Sequence, residues 1–214
     1  MNARGLAMAM AVTAAALSAW GCAWKVPRVG ARPPVAAGAG EERAYQELVA
    51  RYSDHRELYD RLDTRFFAHA TFQSWPFREA RVRRAAGFRH LPAAEVEKSL
   101  AEERAAQEVT HEVFLAAQFQ DPRSDDLDHP DSQWRLVLVT PRGEVAPVKV
   151  DRLGRSTLDL RSLYPYFDEF WVGFWLSFPR ELEDGSETIP EGTEAVTLRM
   201  ASALGNAELK LRVR

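Results

Sequence analysis

Apolar positions along the chain keep two different rhythms. From Glu41 the spacing is helical: Tyr45, Tyr52, Tyr59 and Phe66 fall seven apart, and Leu48, His55, Leu62 and His69 stand three residues after each. One such stripe predicts a single long helix from Glu41 to about Ala70, opened by two acids that suit the positive end of its dipole. On that helix His55 and His69 would lie about 21 Å apart, too far to share one metal ion. Pro76 interrupts the pattern, and a continuation ends near Gly87. Pro92 and Glu95 then open a second long helix whose apolar face is Val96, Leu100, Val109, Val113 and Ala117.

From Trp134 the rhythm becomes alternation, the mark of half-buried strands. Leu136 to Thr140 turns at Pro141-Arg142-Gly143-Glu144, and further strands follow through Val145–Val150, Ser156–Leu163 and the run from Phe170 to Phe178. In that run Phe170, Val172, Phe174, Leu176 and Phe178 face one way, which predicts core. Trp171 and Trp175 face the other way with Gly173 between them, either as a platform for a sugar or partner, or as a surface covered by the helical half. The last two strands, Val196–Ala201 and Leu209–Val213, are joined by Gly205-Asn206 as a two-residue hairpin. That register sets Arg199 opposite Arg212 with Lys210 on the same face, an arrangement that calls for an acid or a bound anion between them.

The expected fold class is therefore α+β, with long N-terminal helices packed on a C-terminal antiparallel β-sandwich, immunoglobulin-like in shape. Residues 41–120 are expected to form the helical region, 121–133 an acidic loop, and 134–214 the sandwich. The loop's carboxylates do not match an EF-hand, because Pro130 stands where an oxygen ligand is needed and Asp131 where glycine is needed.

Residues 1–40 keep neither rhythm. Arg4 precedes the apolar run Gly5–Leu17, and small residues then lead to Gly21 and Cys22, the chain's one cysteine. A basic start, an apolar run and a small residue directly before a cysteine resembles the signal of bacterial lipoproteins. The resemblance covers about the first tenth of the chain. It implies a signal peptide at 1–21, removal of that segment, and a diacylglyceryl group on Cys22 as the new N-terminus. Cleavage after Ala23 and an uncleaved anchor from Gly5 to Trp24 are the alternatives. All three place the body outside the cytoplasm. Residues 22–40, rich in Pro, Gly and Ala, form a flexible tether with a reach on the order of 20 Å. Ala23 lacks the Asp that marks inner-membrane retention in enteric lipoproteins, which points to the outer membrane facing the periplasm.

Charge narrows the function classes further. The chain has 28 basic and 31 acidic residues, and residues 1–40 take Arg4, Lys25, Arg28 and Arg32 with no acid, leaving the body at about −7. Nucleic acid is therefore not an expected partner. No nucleophile elbow, phosphate-binding glycine loop or Cys–His pair occurs, and His111-Glu112 lacks the second histidine of a zinc-protease helix, so no catalytic residue, metal ligand or cofactor is expected. The expected function is a non-enzymatic, lipid-anchored envelope protein that meets the membrane through its anchor and binds an envelope protein or a cell-wall polymer. A carbohydrate- or peptidoglycan-binding module using Trp171 and Trp175 is one alternative, and a hydrolase with a dispersed acid pair is the other.

Overall fold

The computed structural model describes residues 39–60 and 63–214. Cys22, the segment 1–21 and the tether up to residue 38 lie outside the described residues. So do the two positions that join the first pair of strands.

The described chain is α+β, with two antiparallel sheets. In order it runs α1 (Ala39–Tyr52), β1 (Ser53–Asp60), β2 (Asp63–Phe72), α2 (Trp75–Arg89), α3 (Ala93–Val109) and β3 (Thr110–Phe119). It continues through β4 (Arg135–Thr140), β5 (Gly143–Val145), β6 (Lys149–Arg155), α4 (Leu158–Leu163), β7 (Val172–Pro179), β8 (Ala195–Ser202) and β9 (Gly205–Arg212). A five-stranded sheet has the order β1-β2-β3-β7-β6, and a four-stranded sheet the order β5-β4-β8-β9.

The two long N-terminal helices are not formed. The predicted helix stops at Tyr52, and the chain enters a hairpin in which β1 and β2 pair antiparallel. The reason is written at period two: Phe66, Ala68, Ala70 and Phe72 are buried, while Phe67 and His69 between them are half-buried. The second helix likewise ends at Val109, where Thr110 turns to φ −139° and ψ 151° and the backbone runs straight into β3. Residues 113–117 are all buried, as a strand enclosed on both faces requires. Pro76 sits in the first turn of α2, where its missing N–H costs no helical bond, so it starts that helix instead of breaking one. Ser156–Leu163 is not a strand, since β6 ends at Arg155. Thr157 accepts a hydrogen bond from the Leu160 amide and caps the short α4.

One apolar core takes residues from both sheets: Phe66, Leu115 and Phe174 from the five-stranded sheet, and Leu138, Leu198 and Leu209 from the other, all fully buried. The sheets also meet at an edge. The Lys210 amide donates to the Asp54 carboxylate at 2.8 Å, and the Leu58 side chain lies over Gly205. The last hairpin turns at Ala203-Leu204, because Ser202 pairs with Gly205, whose φ of +138° suits glycine. This moves the register by four residues from the one expected. Arg199 now faces Glu208, Lys210 faces Thr197 and Arg212 faces Ala195.

A second cluster lies on the other face of the five-stranded sheet. Tyr45, Val49 and Tyr52 of α1, Phe77 of α2, and Tyr164 and Phe167 after α4 pack on Phe114 and Ala116 of β3. Gly173 makes room for this cover: a Cβ there would stand 2.9 Å from Phe167 Cζ and 3.2 Å from Phe114 Cε2. Gly173→Ala should therefore destabilise the fold by about 1–3 kcal/mol through overpacking. A lower urea midpoint with an unchanged m-value is the expected result.

Candidate functional site

The helical cover brings buried charge with it. Arg78 of α2 is 1 % exposed, and its guanidinium donates to the Gln73 carbonyl at 2.8 Å and to Glu103 of α3 at 2.7 Å, and pairs with Glu112 of β3 at 2.8 Å. Arg81 donates to the other Glu103 oxygen at 2.6 Å and lies 5.3 Å from the centre of the Trp175 ring. These residues line a cleft of about 470 Å³ between α2 and α3. Glu103 and Glu112 are two carboxylates in one cleft, and each holds Arg78. Trp175 is the floor of this cleft and lies half-buried beneath Arg81.

Trp171 borders the same helix-covered cluster at another point. It precedes β7, half-buried, with its ring 6.3 Å from Phe67 of β2. Phe67 in turn meets Tyr59 of β1 edge-on at 6.3 Å. Tyr59 is 53 % exposed. Pairing sets Glu57, Phe67 and Gln118 side by side across β1, β2 and β3, and Glu57 accepts the Tyr59 hydroxyl at 2.5 Å. The result is an outward row of three aromatic rings, Tyr59, Phe67 and Trp171, with an acid and an amide along it. Phe170, expected in the core, is 70 % exposed beside Trp171. Both tryptophans are half-buried against the cluster that the helices cover, Trp175 beside Arg81 and Trp171 beside Phe67, as the covered-surface alternative expects.

The predicted anion group is also resolved. Arg199 is ion-paired with both Glu208 and Glu144, so the like-charge opposition that motivated an anion is replaced by two carboxylates. Lys210 and Arg212 border a separate hollow with Arg214. In the acidic loop Asp125 and Asp128 hold Arg152 at 2.5 and 3.1 Å, and Asp126 accepts from Ser132 and the Gln133 amide. Their charge is met by protein donors.

His55 and His69, expected two heptads apart on a helix, are directly opposed across β1 and β2 with ring centres 5.6 Å apart. Tyr166 stacks on His69 at 3.5 Å and 8°, and its hydroxyl lies 2.5 Å from that of Thr71. Neither this pair nor the aromatic row was visible in the helical spacing. The alternation of Phe66, Ala68 and Ala70 with Phe67, His69 and Thr71 was the signal that would have found both.

Burial holds His69 down at about 4, with nearby His55 adding to the effect. His111 is likewise held at about 4 by burial and by Arg180 and Arg78. No protein-family model, curated protein or solved structure matches the chain. Among the described residues no helix is long and apolar enough to cross a membrane.

Two outcomes follow from these charges. Arg78→Met strands Glu112, leaves Glu103 with Arg81 alone, and should cost about 3–5 kcal/mol in urea unfolding. Adding Glu103→Gln and Glu112→Gln should recover part of that. For the histidines, the unfolded chain takes up protons near the ordinary value of 6.5, whereas the folded chain resists until about 4. Their contribution to stability is therefore full above the unfolded value and is lost as pH falls toward 4. The urea midpoint should drop between pH 7 and pH 4.5, and less steeply in a His69→Gln/His111→Gln variant.

Proposed function

We propose that this chain is a non-enzymatic, lipid-anchored protein of a bacterial cell envelope that holds a cell-wall polymer against the aromatic row Tyr59–Phe67–Trp171. The carrying observation is that row: three linked rings on an outward sheet face, with ring centres 6.3 Å apart at each step and one member more than half exposed. Aromatic faces take the apolar side of a sugar ring, and Glu57 and Gln118 beside Phe67 offer partners to its hydroxyls. In this reading the two sheets with a shared core form an immunoglobulin-like β-sandwich. The sandwich hangs from an acylated Cys22 on the outer membrane, facing the periplasm, and the tether gives it reach toward the wall.

The hydrolase reading has one observation of its own, the convergence of Glu103 and Glu112 on a single cleft. Both carboxylates engage the buried Arg78, so they join α2, α3 and β3 and leave no oxygen pair facing a substrate unencumbered.

The test uses full-length protein extracted from membranes in detergent. Its mass should show a diacylglyceryl group on a chain beginning at Cys22, and Cys22→Ser should lose both that mass and membrane retention. The same protein should co-sediment with purified peptidoglycan sacculi, and Tyr59→Ala or Trp171→Ala should weaken that binding at least tenfold with the fold retained. Binding that survives both substitutions, or no binding to sacculi, overturns the cell-wall partner. Release of soluble fragments from the sacculi overturns the non-enzymatic assignment.

A further inference from the structure

We propose that His55 and His69 form a two-imidazole site for one borderline divalent ion, of the class of Cu²⁺, Zn²⁺ or Ni²⁺, on the outward face of the β1–β2 hairpin. The inference stands apart from the wall-binding reading, because it rests on different residues and a different probe.

Geometry carries it. The two residues are register partners in an antiparallel pair, so their side chains leave the same face side by side. Two imidazoles bound to one ion place their ring centres about 5 Å apart, since each ligating nitrogen stands about 2 Å from the metal. The observed 5.6 Å is close to that distance, with the two rings tilted by 37° to each other. A helical reading would have forbidden such a site, and the hairpin creates it.

The surroundings prepare one ring and leave the other mobile enough to adjust. Tyr166 stacks flat on His69, while the Thr71 hydroxyl lies 2.5 Å from that of Tyr166 and 2.6 Å from that of Ser53. Stacking covers the face of the imidazole and leaves its edge, where the nitrogens lie. His55 is exposed and can turn toward a shared ion.

Ligand chemistry selects the ion class. Imidazole nitrogen suits Cu²⁺, Zn²⁺ and Ni²⁺, whereas Ca²⁺ and Mg²⁺ require oxygen. Among the described residues no third histidine, cysteine or carboxylate completes the set. A structural zinc site is closed by four protein ligands, so a site with two is open, with its remaining positions filled by water or an incoming donor. Cu²⁺ should bind tightest of the three ions.

The experiment titrates CuCl₂ into the full-length protein in detergent, measures affinity by competition with a chelator, and reads nitrogen coupling by electron paramagnetic resonance. The expected result is one Cu²⁺ per chain coupled to two imidazole nitrogens, unchanged in Cys22→Ser and in His129→Gln. His55→Gln should lose one nitrogen coupling and weaken binding at least tenfold, with thermal unfolding unaltered because that side chain is exposed. His69→Gln should do the same to the metal signal. Absence of stoichiometric binding overturns the site. So does a two-nitrogen signal that persists in His55→Gln.

Discussion

Strand β3 is enclosed on both faces, and the rest of the molecule is arranged to enclose it. Val113, Leu115 and Ala117 face the core shared with the four-stranded sheet, while Phe114 and Ala116 face the helices. Burying a Leu or Phe side chain contributes roughly 1.5–3 kcal/mol. A strand with large apolar residues on both sides therefore needs two covers, one sheet and one helical layer. Neighbouring β7 is built to the same demand, with Phe174, Leu176 and Phe178 inward and Gly173 yielding its outward space to Phe167.

Because that helical layer sits over β3 and β7, it must bring polar chain ends and loops close to the sheet. Arg78 answers this by joining the Gln73 carbonyl, Glu103 and Glu112, and so ties the start of α2 to α3 and to the first residues of β3. A buried guanidinium with three partners fixes orientation more than it adds stability, since its desolvation offsets much of its attraction. The cleft that results is a joint between elements.

The cover does not reach across the whole sheet. The outward residues of β1 and the near half of β2 stay partly open, and there the sheet presents aromatic rings and imidazoles in cross-strand rows. The histidine pair and two of the three rings of the aromatic row lie on this hairpin. A sheet face left bare by its helices displays side chains at fixed spacing on a rigid scaffold, which suits recognition.

Much of the C-terminal half was legible in the amino-acid sequence. The alternation from Leu136 to Thr140, in Val172–Phe178 and in Val196–Met200 marks strands, because period two is a local property of the backbone. The acidic loop and the helix openings near Glu41 and Pro92 were legible for the same reason. Between Tyr52 and Phe72, spacing by sevens fitted a helix as well as alternation fitted a strand, and local pattern did not choose between them. Burial against β3 chose the strand, because β2 is flanked on one side by β1 and on the other by β3. The last hairpin was misplaced for a related cause: the positive φ of Gly205 marks a turn's neighbourhood, but which residues face across it depends on Leu58 and Asp54 of β1 packing against β9. Residue type and local period thus determined which segments are strands, loops or helix starts. Which side chains become neighbours, His55 with His69, Phe67 with Trp171, Arg199 with Glu208, was decided by tertiary structure, since cross-strand contacts join positions that no local period relates.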